Sequence, residues 1–254
     1  MPAGWTEFPS PNDGSQALRC ANYSTQQWRV SLENGTIVIR EAPKKTEQAV
    51  LPAHLRLRRG MSGQRSTLKI PNGWLLGFDG GEFGGGLWWS NEDGSQSSRI
   101  LNENVKGILS TSKGALVLVG LAHIDLDVGR VFMIPDSAKP KEIRPLVSLD
   151  GAPQAFVIES PTTVLVTTTH GVSRVNFSGS LEVLAHAPFS LLYANSMVIT
   201  ADKVIYAGMR LFVVRFLPGA SGYREQWLVR SDCQHFEIRG QSCSCAPTPN
   251  RANR

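Results

Sequence analysis

The stretch Asp79-Gly-Gly-Glu-Phe-Gly-Gly-Gly86 is the most unusual in the chain: five of its eight residues are glycine, and Trp88-Trp89 follows two positions on. Glycines let a backbone approach a ligand closely, so Glu82 can serve as a polar anchor and Phe83 as an apolar contact. A hairpin that needs positive φ, with Trp88 and Trp89 alternating between core and surface, gives the same pattern. A second candidate is His123-Ile-Asp-Leu-Asp127. If it is extended, alternation puts His123, Asp125 and Asp127 on one face, an imidazole and two carboxylates that could hold a divalent cation or position a water. A half-exposed edge strand has the same alternation. Towards the end of the chain, Cys233-Gln-His235 and Cys243-Ser-Cys245 offer zinc-type ligands at an unusually short spacing; a disulfide involving Cys20 or Cys233, or free thiols, are the alternatives.

Other chemistry is poorly represented. No lysine follows the glycines, as a phosphate-cradling loop requires, and neither a dinucleotide fingerprint nor a Gly-x-Ser-x-Gly elbow occurs. Glu92-Asp93 sits between Asn91 and Gly94, a turn signature rather than a glycosidase pair. The expectation is a chain with no cofactor and no resident metal.

With 254 residues, 41% of them hydrophobic, the chain can bury a substantial core. Its net charge is +5, yet only 19% of residues are charged, below the roughly 25% of an average soluble protein. Arg56, Arg58, Arg59 and Arg65 form the basic cluster, without aromatics to stack on bases, so nucleic acid is not the expected partner. Apolar runs such as Ala115 to Leu121 fall far short of the ~20 residues of a membrane-crossing helix. Residues Met1 to Ser10 lack a basic segment followed by an apolar run. The composition leads to the expectation of a soluble, cytoplasmic monomer.

What must position these residues emerges from self-similarity. Five β-rich runs begin at Asn34, Asn72, Lys113, Pro161 and Asp202, about forty residues apart. Each follows an extended segment. After four of them comes a third strand, at Gly86 to Trp89, Gly129 to Ile134, Gly171 to Phe177 and Leu211 to Phe216, and then a fourth β-rich piece. The turns between are Asn-Gly, Lys-Gly and Asp-Gly, and the runs are rich in Val, Ile, Leu, Phe and Thr. No window shows helical periodicity. Four antiparallel strands every forty residues make a blade of a β-propeller. The reading is all-β, with five blades favoured and four or six compatible. Repeats fall at about 27–66, 67–104, 105–150, 152–187 and 189–232. Residues 1–232 form one domain, and 233–254 a Cys-containing segment with a disordered tail. The first repeat is irregular, since Pro43 to Arg65 has no Gly-headed third strand.

The pattern Val105-Lys-Gly-Ile-Leu-Ser-Thr-Ser-Lys-Gly-Ala-Leu-Val-Leu-Val119, followed by Gly129-Arg-Val-Phe-Met-Ile134, resembles the β-propeller repeats of bacterial two-component sensor ectodomains. The resemblance is one of strands and glycines. It implies the fold and assigns no residue a role.

In such a fold the loops between second and third strands open on one face. That face collects Asp79, Glu82, Phe83, Trp88, His123, Asp125, Asp127, His170 and Arg210, and its carboxylates make it acidic. With no catalytic constellation in view, the expected function is a non-catalytic binding propeller for a basic or polar protein partner, such as a toxin neutralised by an immunity protein. The alternative is glycan recognition, as a lectin or a glycan-active hydrolase, because aromatics beside carboxylates also suit sugar rings. The loops differ from repeat to repeat, which favours a single site.

Overall fold

The structure is a computed structural model describing residues 1–11, 15–43, 49–52, 55, 57, 59–220 and 222–233, with the backbone of 236–238 and 241–243. Arg56, Arg58, His235, Cys245 and the tail from 244 onward lie outside the described residues. Strand β1 (Trp5–Phe8) and helix α1 (Gln16–Tyr23) come first. This helix is unannounced by periodicity. It has two turns, too short for an amphipathic window to register, and is held by Ser15, whose Oγ accepts from Leu18 N at 3.3 Å, and by burial of Leu18, Cys20 and Ala21.

Nearly all the rest is β. A first, two-stranded sheet pairs β2 (Trp28–Glu33) with β3 (Thr36–Glu41) across an Asn34-Gly35 turn in which both residues have positive φ. The second sheet contains β4 (Gln64–Ile70), β5 (Gly73–Asp79), β6 (Gly85–Ser90) and β7 (Ser97–Leu101). The third contains β8 (Val105–Thr111), β9 (Gly114–His123), β10 (Leu126–Ile134) and β11 (Arg144–Leu149). The fourth contains β12 (Pro153–Ser160), β13 (Thr163–Thr168), β14 (Gly171–Asn176) and β15 (Leu181–His186). The fifth contains β16 (Ser196–Ile199), β17 (Ile205–Gly208), β18 (Val213–Gly219) and β19 (Gly222–Arg230). Each of these four sheets is an antiparallel meander in chain order. Strand β1 returns to pair with β19, placing Trp5 opposite Arg230 and Phe8 opposite Trp227. A hairpin of β20 (Phe236–Ile238) and β21 (Gln241–Cys243) follows.

The sheets stack face to face, with first strands towards one another: β4 lies against β8, β12 against β16, and β16 against β2. Where the third sheet meets the fourth, a Cβ at Gly107 would overlap the ring of Phe156, so glycine sets the approach distance. Both faces of an inner sheet are covered, which is why β9 reads as an unbroken apolar run. Ala115, Val117 and Val119 pack on the second sheet, while Leu116 and Leu118 pack on the fourth. The largest core cluster joins the fourth and fifth sheets to α1. In it, Trp227 lies edge-on to Phe212 at 5.3 Å and to Phe189 at 5.9 Å between ring centres.

Cys20 and Cys233 are both disulfide-bonded, which replaces the free-thiol and zinc readings for these two residues. Only the backbone of Cys243 is described. No described helix is long and apolar enough to cross a membrane.

Candidate functional site

Strand pairing puts the β5–β6, β9–β10, β13–β14 and β17–β18 connections at the end where β4, β8, β12 and β16 begin, since Asp79 faces Gln64, Thr168 faces Pro153 and Gly208 faces Ser196. Polar side chains at this end tie the second sheet to the third and the third to the fourth.

The glycine-rich loop is built, not slack. Gly81–Phe83 forms a single 3₁₀ turn, and Asn104, 7% exposed, holds it from the connection between β7 and β8. Asn104 Oδ1 accepts from Gly80 N at 3.1 Å and Nδ2 donates to Gly81 O at 2.9 Å. Gly85 is needed for that approach, because a Cβ there would come within 2.6 Å of Asn104 Oδ1. Asp79 continues the work: its Oδ1 accepts from Gly81 N at 3.1 Å, and its Oδ2 meets Lys106 Nζ at 2.6 Å. The turn packs on β9, and Glu82 Oε2 lies 2.8 Å from His123 Nε2. Phe83, by contrast, is 86% exposed.

The pentapeptide from His123 to Asp127 is not one extended strand. Ile124 and Asp125 are the two turn residues of the β9–β10 hairpin, with His123 opposite Leu126 and Ala122 opposite Asp127. A turn resets the alternation, so His123 and Asp127 face opposite ways. His123 reaches the second sheet. Asp127 reaches the fourth, where its Oδ1 accepts from Ala152 N at 2.7 Å and its Oδ2 from Thr169 Oγ1 at 2.6 Å, with His170 Nε2 at 3.2 Å. The expected shared face of His123, Asp125 and Asp127 is therefore corrected. Among the described residues no group of three or more His, Cys, Asp or Glu side chains is placed to hold a metal ion.

Ile124 is 87% exposed with φ of +52°, a left-handed conformation that a β-branched residue adopts only at a cost. Leu126 beside it is 47% exposed. Asp125 is exposed in the same turn. Three of the four expected carboxylates thus have partners from neighbouring elements, and the end is less acidic than residue counting implied. Trp88 stands apart from this face. It packs with Met61, Leu76 and Phe78 on the other side of the second sheet, with the Arg99 guanidinium 5.7 Å from its ring centre.

Arg210 lies where the fifth sheet meets the first, bridged to Gln27. Its Nη1 donates to Asn22 O at 2.5 Å, and the guanidinium sits 4.0 Å above the ring of Tyr193. It helps to line a cavity of 580 Å³ at which the first strands converge. Arg65, Lys106 and Gln154 contribute to that cavity, each the second residue of its first strand. Sequence reasoning looked only at connections between second and third strands and missed these positions. The repeat register held the signal, because all three are polar residues at the same second position of their strands.

Further out, between the fourth and fifth sheets, Glu159 accepts from Arg174 Nε at 2.6 Å and Nη2 at 2.8 Å, and Arg174 Nη1 reaches Glu182 at 2.6 Å. Arg174 holds the Glu159 carboxyl below the usual carboxylate range, and Glu159 in turn raises the Arg174 guanidinium. Burial pushes the Tyr223 phenol up.

No protein-family model and no curated protein matches this chain. Among solved structures it is similar to extracellular domains of two hybrid two-component systems from Bacteroides thetaiotaomicron. For BT4673 the identity is 12% and the TM-score 0.45, over 86% of this chain and 29% of that one. For BT3049 they are 13% and 0.43, over 82% and 28%. A gluconolactonase from Xanthomonas campestris, XC5397, gives 16% and 0.39, over 79% and 67%. The chain spans under a third of the length of either sensor domain. Likenesses this remote assign no activity.

Proposed function

We propose that the chain is a five-bladed β-propeller acting as a non-catalytic binding module, with a protein partner docking on the tip formed by the β5–β6 and β9–β10 loops. One observation carries this reading: Phe83 and Ile124 are 86% and 87% exposed on loops of adjacent sheets that Glu82 and His123 clasp together. Large apolar side chains held rigidly in water, rimmed by polar groups, are the anatomy of a binding hot spot. A rigid tip also loses little conformational entropy on docking. The strained turn at Ile124 belongs to the same argument, because strain persists where it presents a side chain for use. The apolar centre takes an apolar patch on the partner, and Glu82 and Asp125 at its rim favour polar or basic neighbours.

The first sheet counts as a blade by position, packing on β16 and β17 through β2. The disulfides at Cys20 and Cys233 favour an oxidising compartment over the cytoplasm. Toxin neutralisation is the narrow form of the reading, in which the partner is a toxin that the tip occludes.

A photoreactive benzoylphenylalanine at position 83 tests the proposal, with the same probe at exposed Leu32 as control. A partner captured from position 83 is then purified and titrated calorimetrically. Phe83→Ser and Ile124→Asn should each weaken it at least about tenfold, the cost of one buried anchor. Equal affinity for both variants overturns the role of the tip.

A further inference from the structure

We propose that the outer edge of β3 is a docking surface for a second copy of this chain, the two copies joining their first sheets into one four-stranded antiparallel sheet about a two-fold axis. The other sheets show how this fold treats an outer edge. Strands β7, β11 and β15 each carry an extra residue, Ile100, Leu146 and Leu184, at which the register with the inner strand shifts. Bulges of this kind bend an edge away from further pairing. In the fifth sheet β1 covers β19, and β1 is itself only four residues long and followed by Pro9. Strand β3 has none of these devices. Its sequence, Thr36-Ile-Val-Ile-Arg-Glu41, lacks proline, glycine and lysine, and its ladder with β2 runs without a shift. Among the described residues no strand pairs with its far side. The charge of Arg40 is met by Glu33 within the same hairpin.

The hairpin also fixes which backbone groups face that side. Ala42 N donates to Gln27 O at 2.7 Å, and bonded pairs alternate along an antiparallel ladder. Thr36, Val38 and Arg40 therefore bond to β2, while Ile37, Ile39 and Glu41 turn their N–H and C=O groups outward. A regular row of this kind is a template for another strand. The side chains select a copy of the same strand. With Val38 opposite Val38 of the second copy, Ile37 meets Ile39 on both sides of the axis, and each of these two pairs exchanges two backbone hydrogen bonds. That register keeps the apolar faces together, because Ile37 and Ile39 both pack towards the Trp28 and Val30 cluster of their own chain. Their β-branched side chains suit cross-strand packing. Like charges stay apart: Arg40 falls opposite Thr36, and the two Arg40 positions lie four residues, about 13 Å, apart along the sheet, beyond the ~10 Å Debye length at 0.1 M salt. The joined sheet has four strands, as the second, third and fourth sheets do. It shares no residue with the tip at Phe83 and Ile124, so this surface stands or falls independently of the protein-docking reading.

The test is sedimentation equilibrium of the full chain from about 10 to 500 µM, a range set by a strand interface smaller than the ~1,000 Å² of a tight complex. The mass should rise towards that of two copies. Ile39→Pro removes an outward N–H that β2 does not use and places a ring in the second copy's way, so it should hold the chain monomeric. Val38→Lys and Val38→Glu each set like charges side by side on the axis and should weaken association at least about tenfold, while an equimolar mixture of the two should recover it. Val183→Lys, on the bulged edge strand β15, should leave association unchanged. Circular dichroism establishes that each variant is folded. The proposal is overturned if the parent chain stays monomeric across the range, the result expected if another segment or a different protein covers this edge. It is equally overturned if folded Ile39→Pro associates like the parent chain, if the mixture associates no better than either variant alone, or if Val183→Lys weakens association as much as Val38→Lys.

Discussion

The seam between the second and third sheets and the seam between the fourth and fifth are built from similar strands but dispose of their large side chains differently. In the fourth–fifth seam Phe189, Phe212, Phe216 and Trp227 are almost wholly buried, and the charged network of Glu159, Arg174 and Glu182 is fixed beside Tyr223 on the neighbouring sheet. The second–third seam has a core in which Phe132 is the one buried ring among aliphatic side chains, closes its open end with Asp79–Lys106 and Glu82–His123, and leaves Phe83 and Ile124 in water. Burying aromatics and fixing charges stabilises one side of the fold. Exposing apolar groups on clasped loops does nothing for stability, which is the contrast the proposed docking role of the tip would explain.

The largest effects should therefore fall on the fourth–fifth seam. Phe212→Ala removes a fully buried ring that meets Phe8 at 5.4 Å and Trp227 at 5.3 Å, and urea denaturation should show a loss of about 3–5 kcal/mol. Tip binding by the partner should survive wherever that variant is folded. Glu159→Gln should cost about 2 kcal/mol at neutral pH, because it leaves Arg174 with only the exposed Glu182. The sign with pH is fixed: Glu159 is held below its ordinary value of 4.5, so its contribution is present above that value and fades as acid protonates it. Denaturation at pH 7 and pH 3 should show the gap between parent and variant narrowing in acid. A constant gap would make the pair a packing contact instead.

The same contrast explains what was legible in the sequence. Sheets covered on both faces read as apolar runs bounded by turn glycines, so the third and fourth repeats stood out. The first repeat did not, since β3 is mostly half-buried or exposed and no third strand follows it among the described residues. The glycine-rich loop was legible as a special backbone, but its purchase on Asn104 was not, because that residue lies more than twenty positions away and approaches only once the sheets stack. The pentapeptide misled for a local reason. Strict alternation and a two-residue turn give the same polar–apolar string, and Ile124 is a residue that turns rarely use. Cavity positions such as Lys106 and Gln154 were polar residues at strand starts, meaningful only after the first strands converge.

The smallest effects should fall on the second–third tip, and there the comparison is sharpest. Ile124→Asn places a residue that tolerates the left-handed region where an exposed isoleucine is strained, so stability should rise by about 1 kcal/mol in urea denaturation while partner affinity falls. A variant that destabilises the chain would make Ile124 a packing residue and remove the reason for its exposure. Glu82→Gln should change stability by less than about 0.5 kcal/mol, since Glu82 and His123 are 48% and 44% exposed and solvent screens the pair. What that substitution should alter is loop order: backbone relaxation at residues 81–84 and 123–126 should show faster, wider motion. If both loops stay as rigid as in the parent chain, Asn104 and the hairpin alone set the tip, and the clasp contributes charge to the rim and nothing to its shape.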